Sequence, residues 1–263
     1  MAVTEQQVLD ALRVVRDGAR WLVFADGGAR ADDLAAALRA AGRAVTLVHR
    51  GDHFDHSGGE ATVRPAERDD YAALVDAVAG GSPVHAIHLT AGEDAFVSVA
   101  LLAAALGRGG GAARLVVVTG GTAVVTGSEE IDPPAAAVLG AVAVAEEEHP
   151  NLTCIAVDCE ADDPDAARLV AAEALSEAKD RGVAVRARRR WVRGWERVEA
   201  AGEGTVEPGS VWLFAGGVDG RSELLARHAA FRGARVVLLD ERMSDRMAWE
   251  RVVAAREAIR RGR

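Results

Sequence analysis

The sequence predicts an α/β protein: a Rossmann-like parallel sheet flanked by helices, followed by a truncated second Rossmann-like β-α-β-α unit. Three observations carry this expectation. Short, near-continuous apolar runs such as WLVFAD (21–26), VHAIHL (84–89) and RLVVVT (114–119) recur along the chain. Runs of that kind suit strands buried on both faces. Between them lie longer segments with apolar residues at helical spacing, which places a helix between successive strands. Finally, the opening pattern of strand, Gly-Gly, helix and strand returns near residue 210.

In chain order, Thr4 reads as the N-cap of an amphipathic helix carrying Val8, Leu12 and Val15. Strand 21–26 leads through Gly27 and Gly28 into a helix over 31–41, stopped by Gly42, and then into strand AVTLVH (44–49). DHFDHSGG, within 52–59, reads as a Gly/Ser loop. A helix near 68–79, strand 84–89, helix 94–107, strand 114–119, helix 134–146, strand TCIAVD (153–158) and helix 164–179 follow. The stretch 183–198, VAVRARRRWVRGWERV, alternates like one strand, and AAGEGTVEPG after it is a connector. Beyond the connector come strand SVWLFA (210–215), Gly216 and Gly217, a helix over 221–231, Gly233, strand ARVVLLD (234–240) and a last helix. The expected division is 1–200 and 201–263.

Composition narrows the function. With 49% hydrophobic and 27% charged residues the chain belongs with folded globular proteins. A formal net charge of −9 argues against a nucleic-acid partner, because phosphate binding draws on excess Lys and Arg. No apolar run reaches the roughly 20 residues of a membrane helix. The acidic, alternating N-terminus lacks the form of a signal peptide, so a cytoplasmic protein is expected. Cys154 and Cys159 lie five apart in a strand, on opposite faces, and are not expected to pair.

Glycine turns after strands let a backbone approach a pyrophosphate at a helix N-terminus, where free N–H groups favour negative charge. Both Gly27-Gly28 and Gly216-Gly217 admit that reading, and both admit the plainer one of a tight turn. His53 and His56 form an H-x-x-H with no downstream ligand pair, so no metal is assigned. His85 and His88 read as a strand-edge group and a capping group, and His149-Pro150 as a helix end. Arg186, Arg188, Arg189, Arg190 and Arg193 interleave with Trp191 and Trp195. This stretch reads as an edge strand kept soluble by charge with its tryptophans packed inward, or as a docking strip for an acidic partner.

WLVFADGGARADDLAAALRAAGRAVTLV, HLT (88–90), RLVVVTGGTAVVTGSEEIDPPAAAVLGAVAVAEEEHPNL, VAVRARRRWVRGWERV and VWLFAGGVDGRSELLARHAAFRGARVVLLDE occur here in that order. Together they resemble the ketoreductase region of type I modular polyketide synthases, relatives of short-chain dehydrogenases. The resemblance implies a structural subdomain over 1–200 that binds no cofactor, and the start of a catalytic, nucleotide-binding subdomain over 201–263. It further implies other synthase domains, and an acyl carrier protein, as partners.

The departures from the family shape the expected activity. An intact catalytic subdomain supplies a Ser, a Tyr and a Lys or Asn to protonate the ketone oxygen, whereas this chain stops at Arg263. Its one tyrosine is Tyr71 and its one lysine Lys179, so no Tyr-x-x-x-Lys pair can form. No catalytic residue is assigned. The resemblance leaves Gly216, Gly217, Gly220, Asp240 and Arg242 as a vestigial dinucleotide site. Asp240 is of the type that meets a ribose 2′-OH, and Arg242 of the type that meets a 2′-phosphate. Asp219, in a turn reading AGGVDGRSE, sets a carboxylate where a pyrophosphate would lie. Weak or absent binding of NADP(H) or NAD(H), and a pseudo-ketoreductase, are the expectations.

Overall fold

The computed structural model describes residues 18–89, 92–109, 111–160, 163–177, 180–199, 205–215 and 220–239. By internal contact the chain divides into two compact units, Met1–Trp195 and Glu196–Arg263.

The first unit is a nine-stranded sheet with strand order β3-β4-β2-β1-β5-β6-β7-β8-β9. Its strands are β1 Arg20–Phe24, β2 Ala44–Arg50, β3 Asp55–Ser57, β4 Glu60–Val63, β5 Val84–Leu89, β6 Ala113–Thr119, β7 Leu152–Cys159, β8 Gly182–Arg186 and β9 Arg189–Val192. Neighbours from β4 to β8 pair in parallel, and an antiparallel strand closes each edge. The helices are α1 Arg30–Ala40, α2 Arg68–Ala79, α3 Ala95–Arg108, α4 Pro133–Glu148 and α5 Ala166–Leu175.

Alternation along the strands feeds two separate cores. Leu22, Leu115, Val117 and Cys154 face α2, α3 and α4. Val23, Val116, Val118 and Cys159 face α1 and α5. The two cysteines are accordingly free, each in its own layer. α1 buries Ala31, Leu34, Ala35 and Leu38, one helical stripe. It ends in a Schellman pair: Gly42 N–H donates to Arg39 O at 2.9 Å and Arg43 N–H to Leu38 O at 3.0 Å. Gly42 adopts φ +78°, which glycine enters without Cβ strain. α4 starts at Asp132, whose side chain accepts from Ala135 N–H, with Pro133 in the first turn, and it ends at His149 as the sequence suggests.

Three expectations change. DHFDHSGG is the start of the β3–β4 hairpin, turning on Gly58 and Gly59 at φ +61° and +90°. The stretch 183–198 is not one strand but the β8–β9 hairpin, turned by Ala187 and Arg188, both at positive φ. A two-residue turn between twisted strands requires that conformation even from residues that disfavour it. Helix 164–179 is shorter than expected: it stops at Leu175, where the extended Ser176 returns its hydroxyl to Glu173 O.

In the second unit β10 (Val211–Ala215) and β11 (Arg235–Leu239) pair in parallel, joined through α6 (Gly220–Phe231). α6 buries only small residues, Ala226 and Ala229. The helices expected from Thr4 and after residue 240 lie outside the described residues. Among the described residues no helix is long and apolar enough to cross a membrane.

Val117 is fully buried on the central strand β6. Val117→Asp is expected to unfold the protein, because an unpaired buried carboxylate costs several kcal/mol, on the order of a domain's whole stability. Urea titration followed by circular dichroism checks this, and a cooperatively folding variant would contradict the assignment of β6 to the core.

Candidate functional site

In open parallel sheets, ligands bind at the carboxyl ends of strands where the strand order reverses. In the first unit that point lies between β1 and β5. Gly27, at φ +86°, turns the chain from β1 into α1. The anion position it creates is filled from within. Asp26 Oδ1 accepts from Gly28 N–H at 3.0 Å, and its Oδ2 accepts from Arg30 at 2.8 Å. Burial raises the pKa of Asp26, yet the Arg30 guanidinium and the Gly28 N–H outweigh it and hold the carboxyl below its ordinary value. An ionised carboxylate thus takes the Gly28 N–H and the Arg30 guanidinium of this turn, which opposes a second anion there.

Of the residues assigned to a vestigial site in the second unit, Gly220 opens α6. Gly216, Gly217, Asp219, Asp240 and Arg242 lie outside the described residues, as does Lys179.

The tyrosine does not line the cleft that opens beside β8 and β9. Tyr71, on α2, is fully buried; its hydroxyl donates to Pro65 O at 3.0 Å and lies 2.7 Å from Ser98 Oγ. His88 Nε2 meets the same Ser98 hydroxyl at 2.7 Å, and its ring stacks on Phe24 with centroids 5.2 Å apart. His88 Nδ1 is buried without a hydrogen-bond partner. Desolvation pushes the His88 pKa down to about 4. The sequence places His88 at a cap, whereas it sits inside the core on the face shared with Phe24. His85, placed at a strand edge, is also on interior β5: its ring meets Trp21 edge-on at 5.0 Å, and its Nδ1 accepts from Arg114 N–H.

A charged cluster joins β6, β7 and β8. Asp158 accepts from Thr119 Oγ1 (2.9 Å), from the N–H (3.0 Å) and Oγ1 (2.8 Å) of Thr122, and from Ala123 N–H (3.2 Å). Arg186 closes it with a 2.5 Å contact to Asp158 Oδ2, and donates to the carbonyls of Ala123, Val185 and Asp158. Its Nε lies 3.4 Å from Glu129 Oε1. Burial raises the Asp158 pKa, but Arg186 and the threonine donors override it and keep the carboxyl ionised. Backbone N–H groups of the Thr126 turn, aided by its hydroxyl, pull Glu129 down to about 2.

The basic strip is thus divided by the sheet. Arg186 is interior, Arg188 pairs with Asp165 at 3.1 Å, and Arg190 clamps Glu173 and Asp180 at 2.8 Å each. Its tryptophans do not pack inward: Trp191 is 43% and Trp195 90% exposed. Beside β8 and β9 opens a cleft of about 720 Å³, walled by α4 and the 122–125 loop. Sequence reasoning did not single out Asp158 or Glu129. The available signal was parity: Arg186 shares a face with Ala184, a residue sized for an interior.

Among the described residues no cluster of His, Cys, Asp and Glu is placed to hold a metal ion. No family model and no curated protein matches the sequence. The fold, by contrast, defines a class: a doubly wound sheet shared with the ketoreductase domains of modular synthases. "The first ketoreductase of the tylosin PKS" superposes with a TM-score of 0.68 at 22% identity, over 89% of this chain and 58% of that one. A C2-type ketoreductase from a modular polyketide synthase gives 0.60 at 24% identity, over 90% and 59%. A keto acid-selecting NRPS module with adenylation, ketoreductase and pseudo-Asub domains gives 0.69 at 18% identity, over 94% and 23%. This chain therefore spans less than two thirds of the length of each.

Arg186→Met is expected to destabilise the protein by about 3–5 kcal/mol, since it strands a buried carboxylate. Adding Asp158→Asn should recover part of that loss in the same denaturant titration. A second expectation concerns acid. With a pKa of about 4 when folded and 6.5 when exposed, His88 binds fewer protons in the folded state. Its stabilisation is complete above pH 6.5 and is lost as pH falls toward 4, by about 2 kcal/mol at pH 5. His88→Phe, which cannot titrate, should lose that share of the pH dependence of urea unfolding.

Proposed function

We propose that this chain is a non-catalytic, pseudo-ketoreductase part of a polyketide synthase, organising neighbouring domains or a carrier protein. The observation that carries the reading is the position of Tyr71. The one tyrosine of the sequence is buried between α2 and α3, bonded to Ser98 and to a backbone carbonyl, where no ketone can meet it. The fold supports the ketoreductase relation, and the Asp26–Arg30 pair argues against a dinucleotide on the first unit. On this reading 1–200 is the structural subdomain and 201–263 a nucleotide-binding subdomain of catalytic type.

A second reading has its own support. In β1 every residue from Trp21 to Phe24 is at most 4% exposed, whereas in β10 Trp212 and Leu213 are 42% and 44% exposed. On α6, Leu224 and Phe231 are 68% and 88% exposed. Apolar parallel strands stay buried in working sheets. These surfaces favour half of a split NAD(P)H-dependent β-ketoacyl-thioester reductase, completed by further strands from another segment.

The expected outcome for the purified protein is no NADPH oxidation above buffer with a β-ketoacyl thioester. Calorimetric titration with NADPH and NADH should give weak heat or none. Turnover abolished by Gly217→Asp would overturn the non-catalytic reading, and micromolar binding without turnover would favour a dinucleotide-binding module.

A further inference from the structure

The outermost strand of the first unit presents an uncovered stripe. Side chains alternate across β9. Arg190 falls on the α5 side, where its carboxylate partners Glu173 and Asp180 hold it. Arg189 and Trp191, opposite Arg186 and Ala184, fall on the other side. Arg193 follows at the same parity, and its guanidinium lies 5.2 Å over the ring of Trp195. Among the described residues no helix packs over that face of β9, for a topological reason. The chain reaches β8 through α5, on the opposite layer, and reaches β9 by a two-residue turn.

What remains is the cleft of about 720 Å³, with a floor of small residues that includes Ala156, Gly182 and Ala184. Trp191, Val192 and Arg193 form its outer rim. Other charges nearby are already matched: Arg181 with Glu146 at 2.6 Å and Arg188 with Asp165. Arg189 and Arg193 have no carboxylate within ion-pair distance among the described residues. Glu147 is the acid at the cleft that lacks an ion pair among them.

We infer that this stripe docks an acidic polypeptide segment that lays an apolar side chain in the cleft beside Trp191 and sets its carboxylates against Arg189 and Arg193. A tryptophan 90% exposed with an arginine 5.2 Å from its ring offers an anchor, and Trp and Arg dominate binding energy at interfaces. Two unmatched cations steer a carboxylate-bearing partner, but a net charge of −9 and so few cations do not track a phosphate backbone. The inference deepens the organising role proposed above, and rests on that reading only in naming an acyl carrier protein as the natural partner.

The test uses the full chain and a short fluorescein-labelled peptide alternating Leu and Phe with Glu and Asp, followed by anisotropy. Its controls are the same peptide with Lys for each acid, and a single-stranded oligothymidine. Expected is saturable binding of the acidic peptide, weakened by added salt, and weakened about tenfold or more by Trp195→Ala and by Arg193→Glu. Both side chains are exposed, so unchanged thermal melting is required of each variant. No binding of the acidic peptide, equal binding by the variants, or tighter binding of the lysine peptide or the oligonucleotide would overturn the inference. Apo acyl carrier protein added as competitor separates the two readings. Displacement of the peptide supports both, whereas peptide binding without displacement supports the surface and overturns the carrier protein as its partner.

Discussion

The buried pair of Arg186 and Asp158 governs the half of the first unit where everything distinctive lies. Both side chains are about 5% exposed or less, so neither charge is relieved by water. Both carry hydrogen bonds from three converging segments, the turn after β6, the end of β7 and the end of β8, while Arg186 Nε has no hydrogen bond and lies 3.4 Å from Glu129 Oε1. That convergence fixes the path of the 122–131 loop, which in turn delivers Asp132 to the start of α4 with its N–H on Gly121 O. It also fixes the end of β8, from which the hairpin reverses. The two walls of the cleft, α4 with its loop and the β8–β9 hairpin, thus share one electrostatic anchor. A buried pair of this kind is weak evidence for stability as such, but removing one partner is costly.

Internal satisfaction of polar groups recurs elsewhere in the first unit. At the β1–α1 turn, where the sheet topology presents an anion site, Asp26 supplies the anion itself. At the interior of α2, Tyr71 spends its hydroxyl on Ser98 and Pro65. In both places the polar groups find their partners within the first unit. In the first unit, Trp191 and Trp195 are exposed on and after the outer strand β9, beside the cleft.

Much of the fold was legible because its signal is local. Buried parallel strands are apolar throughout, helices repeat at their own period, and glycines such as Gly42 mark the stops, so β1, β2, β5, β6 and β7 follow in order from reading the chain. The two hairpins were less legible. Gly58-Gly59 carries a turn signal, but the short polar run before it lacks the alternation that marks a strand. Ala187-Arg188 carried none, because positive φ there is imposed by pairing β8 with β9 rather than by residue type.

The candidate site divides in the same way. By itself the sequence determined a parallel sheet flanked by helices, the opposed cysteines, the single tyrosine and lysine, and the repeated glycine turns, all of which depend on composition or on near neighbours. Only the tertiary structure decided that Arg186 is interior while Arg189 and Arg193 are not, that Asp26 occupies the first anion site, and that a cleft opens beside Trp191. These depend on which face of the sheet a helix covers. That is fixed by crossovers linking residues far apart in the chain, and no local spacing of arginines records it.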